Sequence, residues 1–381
     1  MGNRPNRSEK NERKRPNDAR RLCMFGLGVQ FEYCYRQLVL SLGREPDFLC
    51  DNAPEKWGKE FFGKKCIPPA ELVRGGDSIA VVITVRRYEE ICRQLYEMGL
   101  KDIFVACFDQ AYDVVHSIKG LGTEQLASGE EHFDNPVSGK WTLITGSSRG
   151  IGRQIALEMA KLGSNIIAHS RRVAHTEELV DTCFALGVQA RPLAAELGNL
   201  VELEEMLDKL ENIFPPVDIV FNNAAISLPC DPDPWRISSR DYLTHYTVNT
   251  IAPILICNRL IPPMVRRGFG RVINISSTIQ KRPGEMAYAC SKAALSKFVH
   301  DMAPSLDGSG VMISLVCPGY VRSDMGGPNA PHPVESVIPG ALLGALLDGD
   351  VNGRWFIAQD YARLSLPAAM KRANFYYSKE D

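Results

Sequence analysis

Residues 145–152, TGSSRGIG, form a glycine-rich segment between a short apolar run and a helical pattern. The apolar run covers 141–145, and within 154–162 apolar residues recur at helical spacing: Ile155, Ala156, Met159 and Ala160. Glycines permit a sharp turn, and the first turn of the next helix offers unpaired N–H groups and the positive end of its dipole to an anion. Strand, glycine-rich turn and helix in this order predict a dinucleotide-binding turn, and a purely structural tight turn is the alternative.

Strand and helix patterns alternate outward from this turn through residues 139–381. Strands are predicted at 165–169, 217–221 and 271–275, and a helix-like run covers 241–261. Such alternation is typical of a doubly wound parallel α/β sheet, and about 240 residues suffice for one well-filled core. Because open sheets of this kind bind ligands at the carboxyl ends of their strands, polar residues that follow the strands are the candidate site residues.

The same alternation occurs on a smaller scale in residues 22–107. The run 79–85 is apolar and rich in β-branched residues, which is typical of a buried parallel strand. The sequence FGLG at 25–28 follows the first predicted strand. We predict a smaller Rossmann-like α/β domain at 22–107, followed by a linker at 108–138 that includes one helix near 111–118.

The N-terminal residues 1–21 contain eight Lys or Arg and three acidic residues, with almost no large apolar side chain. This composition predicts a disordered basic tail, and a docking arm for a partner is the alternative. The whole chain of 381 residues has 44 basic and 45 acidic side chains and a net charge of −1. Because there is no basic excess, neither a nucleic-acid partner nor an anionic membrane is expected.

The eleven cysteines are scattered along the chain without a C-x-x-C pair. This spacing argues against a disulfide scaffold and a structural zinc site, so we expect no metal and a reducing compartment, the cytoplasm. The apolar runs are far shorter than the roughly 20 residues that span a bilayer. The first residues, MGNRPN, lack the apolar region of a secretory signal, so no membrane association is expected.

The residues that follow the second strand of the larger domain are cationic. A site for NAD usually has an acidic residue there to accept the ribose 2′-hydroxyl, whereas this chain has Ser170, Arg171 and Arg172. Arg149 lies within the glycine turn, and arginines that face one ribose suit a 2′-phosphate. We therefore predict NADP(H) as the cofactor. The alternative is that Arg171 and Arg172 are solvated charges at the start of a helix.

Tyr288 and Lys292 lie four residues apart in a helical pattern and therefore share one face. A phenol has a pKa of about 10, and a nearby ammonium lowers it by favouring the phenolate. The pattern Tyr-x-x-x-Lys is frequent in helices, but here Ser277 follows the strand 271–275, eleven residues upstream. Asn249 lies in a helix-like run, where a buried amide needs partners; taken alone, it would be a capping or helix-bending residue.

These residues together resemble the short-chain dehydrogenase/reductase (SDR) superfamily, most strongly over residues 139–325. The resemblance is carried by TGSSRGIG at 145–152, NNAA at 222–225, Asn249, Ser277, YACSK at 288–292, and Pro318-Gly319 followed by YVRS at 320–323. The spacing Gly-x-x-x-Gly-x-Gly is similar to that of the carbonyl-reductase branch. The resemblance implies a Rossmann-type SDR domain at 139–381 and a homodimer or homotetramer.

The resemblance also implies a role for each candidate catalytic residue. Tyr288 would donate a proton to the carbonyl oxygen in reduction, and Ser277 would bind that oxygen. Lys292 would lower the pKa of Tyr288 and bind the ribose hydroxyls, and Asn249 would anchor a water that links Lys292 to bulk solvent. The predicted cofactor contacts are Gly146, Ser148, Arg149, Gly150, Ile151, Gly152, Ser170, Arg171, Arg172, Glu196, Leu197, Asn223, Ala224, Ala225, Tyr288, Lys292, Pro318, Gly319, Val321 and Ser323.

Some features depart from the family pattern. Glu196, followed by Leu197, replaces the usual Asp near the end of the third strand. The interval from Ser277 to Tyr288 is about two residues shorter than usual, so the loop that borders the substrate differs. Residues 323–340 contain four prolines and are predicted to form a lid over the substrate.

The front region resembles the small Rossmann-like domains of sugar-modifying proteins in surface polysaccharide pathways. The residues that carry this resemblance are FGLG at 25–28, CDN at 50–52, Trp57-Gly58 and Ile67-Pro68. Phe31 replaces the last glycine of a complete fingerprint, so a degenerate nucleotide site and a docking module are as open as a working nucleotide site. Asp51 either accepts a hydrogen bond from a ribose hydroxyl or forms a turn with Asn52.

The sequence thus predicts an NADP(H)-dependent oxidoreductase that interconverts a carbonyl and a secondary alcohol of a small molecule. The front region suggests a sugar or a nucleotide-linked sugar as the substrate, and a keto-acyl reductase is the alternative within the same class. A non-catalytic protein that senses the cofactor or serves as a scaffold is the second alternative. The joint presence of Ser277, Tyr288 and Lys292 argues against it, because a pure binding protein does not need all three.

Overall fold

The chain folds into two compact units, Met1–Glu130 and Glu131–Asp381. Among the described residues each unit has its own seven-stranded sheet. Apart from Arg20 and Arg21, the predicted basic tail lies outside the described residues. The computed structural model describes residues 20–28, 31–74, 79–85, 88–109, 114–121, 135–228, 231, 233–278, 283–348 and 351–377.

The first unit alternates strands and helices. Its elements are β1 (Arg21–Phe25), α1 (Phe31–Leu42), β2 (Phe48–Cys50), β3 (Glu60–Phe61), β4 (Lys64–Ile67), α2 (Pro69–Val73), β5 (Ile79–Ile83), α3 (Glu89–Glu97), β6 (Ile103–Asp109) and β7 (Val114–Leu121). The described strands follow the order β3-β4-β2-β1-β5-β6-β7, and neighbours are parallel except for the pairs β3–β4 and β6–β7. Buried residues of α1 and the sheet, such as Leu38 and Val82, form the core of this unit.

The structure differs from the prediction of a linker with a helix near 111–118. Instead, β7 pairs antiparallel with β6, with Ile118 opposite Ala106 and Lys119 opposite Val105. The β-branched residues of this segment favour a strand over a helix. Pairing also satisfies the backbone groups that would otherwise be open along the edge of β6.

The turn after β1 is closed by side chains of its own unit. Asp51, which follows β2, accepts hydrogen bonds from the N–H groups of Leu27 at 2.6 Å and Ala53 at 2.9 Å. The Lys56 ammonium donates to Asp51 at 3.0 Å and to the Leu27 carbonyl at 2.8 Å. Burial by itself raises the pKa of Asp51, but these hydrogen bonds and the Lys56 charge outweigh it and lower the pKa on balance. Asp51 therefore stabilises the turn.

The second unit is an all-parallel sheet flanked by longer helices. Its elements are β8 (Trp141–Ile144), α4 (Gly150–Lys161), β9 (Asn165–Ser170), α5 (Glu177–Ala185), β10 (Ala190–Ala194), α6 (Leu200–Asn212), β11 (Ile219–Asn222), α7 (Ser239–Tyr246), α8 (Ala252–Arg267), β12 (Gly270–Ile275), α9 (Met286–Met302), β13 (Val311–Cys317), α10 (Leu343–Leu346), β14 (Trp355–Ile357) and α11 (Leu366–Tyr377). The described strands follow the order β10-β9-β8-β11-β12-β13-β14, and every neighbouring pair is parallel. The predicted doubly wound α/β fold is confirmed.

The strand order of this sheet reverses between β8 and β11. The chain runs outward from β8 through β9 to β10 and then returns to the other side of β8 for β11 to β14. At such a point the loops at the carboxyl ends of two neighbouring strands diverge and leave a crevice for a ligand. The glycine turn follows β8 and Asn223 follows β11, so both border this crevice.

The longest helical run of the second unit is interrupted by a π-helical segment. This segment, Thr247–Ile251, joins α7 to α8 and contains Asn249. Among the described residues the run Ser239–Arg267 is long and apolar enough to cross a membrane. Its most apolar stretch of 18 residues has a mean hydropathy of 1.3, but 56% of that stretch is buried inside the protein. Its apolar residues, such as Ile256 and Leu260, belong to the core of the unit, as in a core helix.

Candidate active site

The glycines of the turn after β8 are required by close backbone contacts. Gly146 and Gly150 have φ angles of +65° and +58°, in the left-handed region that favours glycine. A β-carbon on Gly146 would lie 2.9 Å from the Cα of Ala224. A β-carbon on Gly152 would lie 2.5 Å from the Asn223 Nδ2 and closer still to the Gly146 carbonyl oxygen. The turn therefore packs directly against the loop after β11.

Asn223 and Thr145 join the turn to that loop. The Asn223 Nδ2 donates to the carbonyl oxygens of Thr145 at 2.9 Å and Gly146 at 3.1 Å. The Thr145 hydroxyl oxygen accepts hydrogen bonds from the N–H groups of Asn223 at 2.9 Å and Ala224 at 3.0 Å. Asn223 thus stabilises the cofactor turn, a contact that the family resemblance did not suggest. The neighbouring predicted residues Ser148, Ile151 and Ala225 are half-buried.

His169 on β9 is hydrogen-bonded to the glycine turn, and it was not among the residues predicted from the sequence. Its Nδ1 accepts a hydrogen bond from the Gly146 N–H at 3.3 Å, which places the ring proton on Nε2, 3.2 Å from the Ala195 carbonyl. Its own carbonyl accepts from the Ser147 N–H at 2.9 Å. Burial lowers the pKa of His169 to about 4, so the ring is neutral near pH 7. The sequence feature that could have indicated this role is a polar side chain near the end of the apolar strand β9.

The cationic side chains predicted to face the ribose are exposed. Arg171 and Arg172 lie at the surface after β9, and the buried Ser170 hydroxyl donates to the Arg172 carbonyl at 2.6 Å. Arg149 is also exposed and forms an ion pair with Asp324. Arg149 thus follows β8, Ser170 ends β9, and Arg171 and Arg172 follow it, so all four lie at the carboxyl ends of these two neighbouring strands.

Glu196 and Leu197, after β10, take different environments. The half-buried Glu196 accepts a hydrogen bond from the Gly198 N–H at 3.1 Å, and its own N–H donates to Glu202 at 2.9 Å. Leu197 is buried in the core. The loop after β10 is thus fixed by its own acidic side chains.

The turn after β13 lies over the glycine turn. Gly319 has a φ of +77°, and a β-carbon there would lie 2.6 Å from the Cγ of Gln359, whose Nε2 donates to the Pro318 carbonyl at 2.9 Å. Val321 is buried and forms a β-bridge with His332. A β-carbon on Gly150 would lie 3.8 Å from the Cβ of Ser323. The predicted residues of this turn therefore lie beside the dinucleotide turn.

The predicted catalytic residues meet at the end of β12. The Ser277 hydroxyl is hydrogen-bonded to the Tyr288 phenol. One helical turn further along α9, the Lys292 ammonium donates to the Ile275 carbonyl at 2.7 Å. Lys292 is 2% exposed and Tyr288 is 9% exposed. Ser277, Tyr288 and Lys292 therefore lie close together, as their spacing in the sequence predicted.

The electrostatics of this cluster differ from the expectation that Lys292 lowers the pKa of Tyr288. Burial raises the pKa of Tyr288 to about 12, and the hydrogen bond with Ser277 offsets only part of that rise. Burial also lowers the pKa of Lys292 to about 8. In the chain by itself, burial is therefore the largest cause of both pKa shifts.

Hydroxyl groups attach α9 to the end of β12. The Ser276 hydroxyl is 2.8 Å from that of Ser296, and both lie within hydrogen-bond distance of the Lys292 carbonyl, at 3.3 Å and 2.9 Å. All three residues are buried. Ser276 therefore has a structural role, whereas the adjacent Ser277 is the one that reaches Tyr288.

Asn249 connects the loop after β11 to α9. Its Oδ1 accepts from the Ile226 N–H at 2.9 Å, and its Nδ2 donates to the Ile226 carbonyl at 2.9 Å and to the Ser291 hydroxyl at 3.0 Å. Ser291 in turn donates to the Tyr288 carbonyl at 2.7 Å. The side chain thus positions the catalytic helix, and the predicted role as a water anchor remains a prediction. The π-helical segment around it is a common feature of functional sites.

The residues at the crevice fit a dinucleotide. The first turn of α4 has N–H groups without intrahelical partners, next to glycines that admit a close approach. In the described part of the chain the Lys292 ammonium has one hydrogen-bond acceptor, Ile275, so two of its N–H groups are available for ribose hydroxyls. No group of three or more metal-ligating side chains occurs within the described ranges. The donor set is that of a pyrophosphate and ribose site.

We expect Gly152→Ala to destabilise the second unit by about 1–3 kcal/mol, because the new methyl group overlaps backbone and amide atoms. Urea unfolding followed by circular dichroism measures the change. Gly284→Ala is the matched control, since a β-carbon there meets no atom within 4 Å, and it should stay within about 0.5 kcal/mol. Equal stabilities of the two variants would contradict the close packing of turn and helix.

We expect Lys292→Met to raise the free energy of unfolding at pH 7 by up to about 3 kcal/mol. The pKa of Lys292 falls from 10.5 to about 8 on folding, so the unfolded chain binds more protons between these values. The penalty is therefore complete below pH 8 and disappears as the pH rises to 10.5. Urea unfolding at several pH values measures the difference from wild type, with Lys297→Met on the exposed face of α9 as the control. A difference that does not depend on pH would contradict a buried ammonium.

Comparison with known proteins gives a consistent result for the second unit. A family model described as short chain dehydrogenase matches residues 140–333. A short chain dehydrogenase of Pseudocercospora fijiensis is 34% identical over 212 residues, which are 53% of this chain and 66% of that protein. The ketoacyl reductase HetN of Nostoc sp. is 32% identical over 49% of this chain and 64% of its own length. The chain thus spans just under two thirds of the length of these two relatives.

A solved structure agrees with the sequence matches. The 3-oxoacyl (acyl-carrier-protein) reductase of Agrobacterium tumefaciens, with NADP bound, has a TM-score of 0.54 and 26% identity over 58% of this chain and 94% of that one. The family model covers half of the chain and includes the glycine turn and the residues that meet at the end of β12. This chain therefore belongs to the short-chain dehydrogenase family.

Proposed function

We propose that this protein is an NADP(H)-dependent oxidoreductase that interconverts a carbonyl group and a secondary alcohol. The observation that carries the proposal is the hydrogen-bonded pair of Ser277 and Tyr288 beside the buried Lys292 ammonium. These groups lie at the carboxyl end of β12, on the same edge of the sheet as the dinucleotide turn, where open sheets bind ligands. The names of the relatives, a short chain dehydrogenase and a ketoacyl reductase, are consistent with this activity.

In this proposal Tyr288 is the general acid in reduction. Because burial raises its pKa to about 12, the phenol retains its proton at neutral pH in the chain without cofactor. The hydrogen bond with Ser277 orients the phenol toward the strand end where the substrate oxygen is expected. A bound nicotinamide supplies the hydride, and Tyr288 supplies the proton to the oxygen.

Ser277 and Lys292 assist this proton transfer. The Ser277 hydroxyl is close enough to the phenol to bind the same substrate oxygen and orient it. The Lys292 ammonium brings a positive charge to the site and donates to ribose hydroxyls through its two remaining N–H groups. Its pKa of about 8 means that this charge is lost on moderate alkalinisation.

The choice of NADP(H) follows from the cationic side of the crevice. Arg171 and Arg172 follow β9, at the position where an NAD site usually has an acidic residue, and Arg149 lies in the glycine turn. Guanidinium groups bind a phosphate through charge-assisted hydrogen bonds. The NADP bound to the Agrobacterium reductase supports the same choice.

Two substrate classes follow from different observations. The names of ketoacyl and 3-oxoacyl reductases among the relatives favour a keto-acyl thioester. The resemblance of the front region to domains of sugar-modifying proteins favours a sugar or nucleotide-linked sugar. We propose a small-molecule substrate, a cytoplasmic location and a homodimer or homotetramer, with no nucleic-acid or membrane partner.

A substrate panel tests the proposed function. NADPH oxidation is measured with ketoses, nucleotide-sugar ketones and keto-acyl thioesters, and turnover of one class identifies the substrate. Binding of NADPH without turnover of any class would favour a cofactor sensor instead. Size-exclusion chromatography with light scattering, on the same preparation, measures the oligomeric state.

We expect Tyr288→Phe to lower kcat by about 100-fold or more, because the proton donor is lost while the ring remains. The dissociation constant of NADPH, measured by fluorescence, should change little. Tyr242→Phe on α7 is the matched control and should retain its activity. Turnover by Tyr288→Phe at the wild-type rate would show that another group is the acid.

We expect Arg171→Asp to weaken NADPH binding by about tenfold or more and to leave NADH binding unchanged or improved. The reason is that the variant exchanges an attraction to the 2′-phosphate for a repulsion. Fluorescence titration with both cofactors measures the ratio of their dissociation constants. Arg266→Asp, an exposed change of the same charge near the end of α8, is the control. An unchanged ratio in Arg171→Asp would contradict the proposed contact.

A further inference from the structure

Asp324 lies where it competes for a proposed cofactor contact. Its Oδ2 is 2.7 Å from the Arg149 Nε, and both side chains are well exposed, at 72% and 67%. Arg149 is the residue that immediately precedes α4, within the glycine turn. In the described ranges Asp324 is the acidic partner of this guanidinium. A phosphate that binds Arg149 must therefore replace a carboxylate.

The backbone around Asp324 keeps the carboxylate near the turn. The Ser323 carbonyl accepts from the Gly327 N–H at 2.7 Å, and its hydroxyl accepts from the Gly326 N–H at 3.1 Å. These bonds form a tight turn that includes Asp324. Ser323 itself lies next to Gly150, the first residue of α4.

A second set of bonds closes the segment that carries this turn. The Arg322 N–H donates to the His332 carbonyl at 2.8 Å, and its guanidinium donates to the Ala330 carbonyl at 3.0 Å. The Asp324 side chain takes part in none of these bonds. It can therefore leave Arg149 by rotation about its own side-chain bonds, while the segment stays closed.

The electrostatic consequence concerns the cofactor. The Asp324 carboxylate is paired with the guanidinium of Arg149, the residue that immediately precedes α4. It neutralises the guanidinium in the absence of a ligand. When a 2′-phosphate arrives, the ion pair must break, and an exposed pair of this kind contributes about 0.2–1 kcal/mol.

We propose that Asp324 is a specificity-determining residue that competes with the cofactor 2′-phosphate for Arg149 and so reduces the preference for NADP(H) over NAD(H). This inference rests on the proposed function, because it requires Arg149 to face the 2′-phosphate. NAD(H) has a hydroxyl at that position and does not compete for Arg149. Removal of the carboxylate should therefore favour NADP(H) selectively.

The test uses the full chain and the isosteric variant Asp324→Asn. Dissociation constants for NADPH, NADH and 2′,5′-ADP are measured by titration calorimetry, which requires no turnover. We expect NADPH and 2′,5′-ADP to bind about two- to fivefold more tightly, and NADH to change by less. Asp301→Asn, which removes the exposed partner of Lys297 on α9, is the matched control and should change none of the three.

A double-mutant cycle with Arg149→Ala separates the possible failures. If Asp324→Asn alone tightens NADPH binding selectively, Arg149→Ala weakens it, and Asp324→Asn has no effect when combined with Arg149→Ala, the competition is established. If Arg149→Ala weakens binding but Asp324→Asn alone changes nothing, or tightens NADPH and NADH equally, the proposal is wrong although the cofactor contact stands. If Arg149→Ala leaves NADPH binding unchanged, the proposed contact of Arg149 fails, and the proposal fails with it.

Discussion

The buried ammonium of Lys292 is the constraint on which the arrangement of the active site depends. Transfer of such a charge from water into a protein costs several kcal/mol unless partners compensate it. Here the described partner is one carbonyl oxygen, that of Ile275, and the lowered pKa records the uncompensated part. The fold thus keeps donors available at a position where a ribose would supply acceptors. Such a cost to stability is common at functional sites.

Neutral polar side chains keep this strained arrangement in place. Asn249 uses its whole amide to join the loop at Ile226 to Ser291 on the catalytic helix. His169 joins the glycine turn to Ala195, the residue after β10, in a single tautomer. Because both side chains are uncharged and fully bonded, they add rigidity without a second buried charge. The proton that would be transferred, on Tyr288, and the buried charge, on Lys292, both belong to α9.

Local patterns in the sequence predicted the parts of the site that depend on local structure. The glycine turn can be recognised in the sequence because strand, turn and helix follow one another directly. Tyr288 and Lys292 are predicted to share a face because they lie four residues apart in a helix. His169 and Asn223 were not predicted as supports of the turn, because their partners lie 23 to 78 residues away and only the sheet order brings them together. The raised pKa of Tyr288 depends on burial by the complete fold, which no local pattern contains.

The turns that follow the first strand of each unit, β1 and β8, are surrounded by different side chains. In the first unit the carboxylate after the second strand, Asp51, accepts from the N–H of Leu27 in the turn, and Lys56 neutralises it. The N–H group of Leu27 is therefore satisfied within the unit and is not available to an external anion. In the second unit the residues at the corresponding position are Arg171 and Arg172, which carry no acceptor for the turn. Among the described residues no side chain accepts from the N–H groups at the start of α4, so these groups are available to an anion.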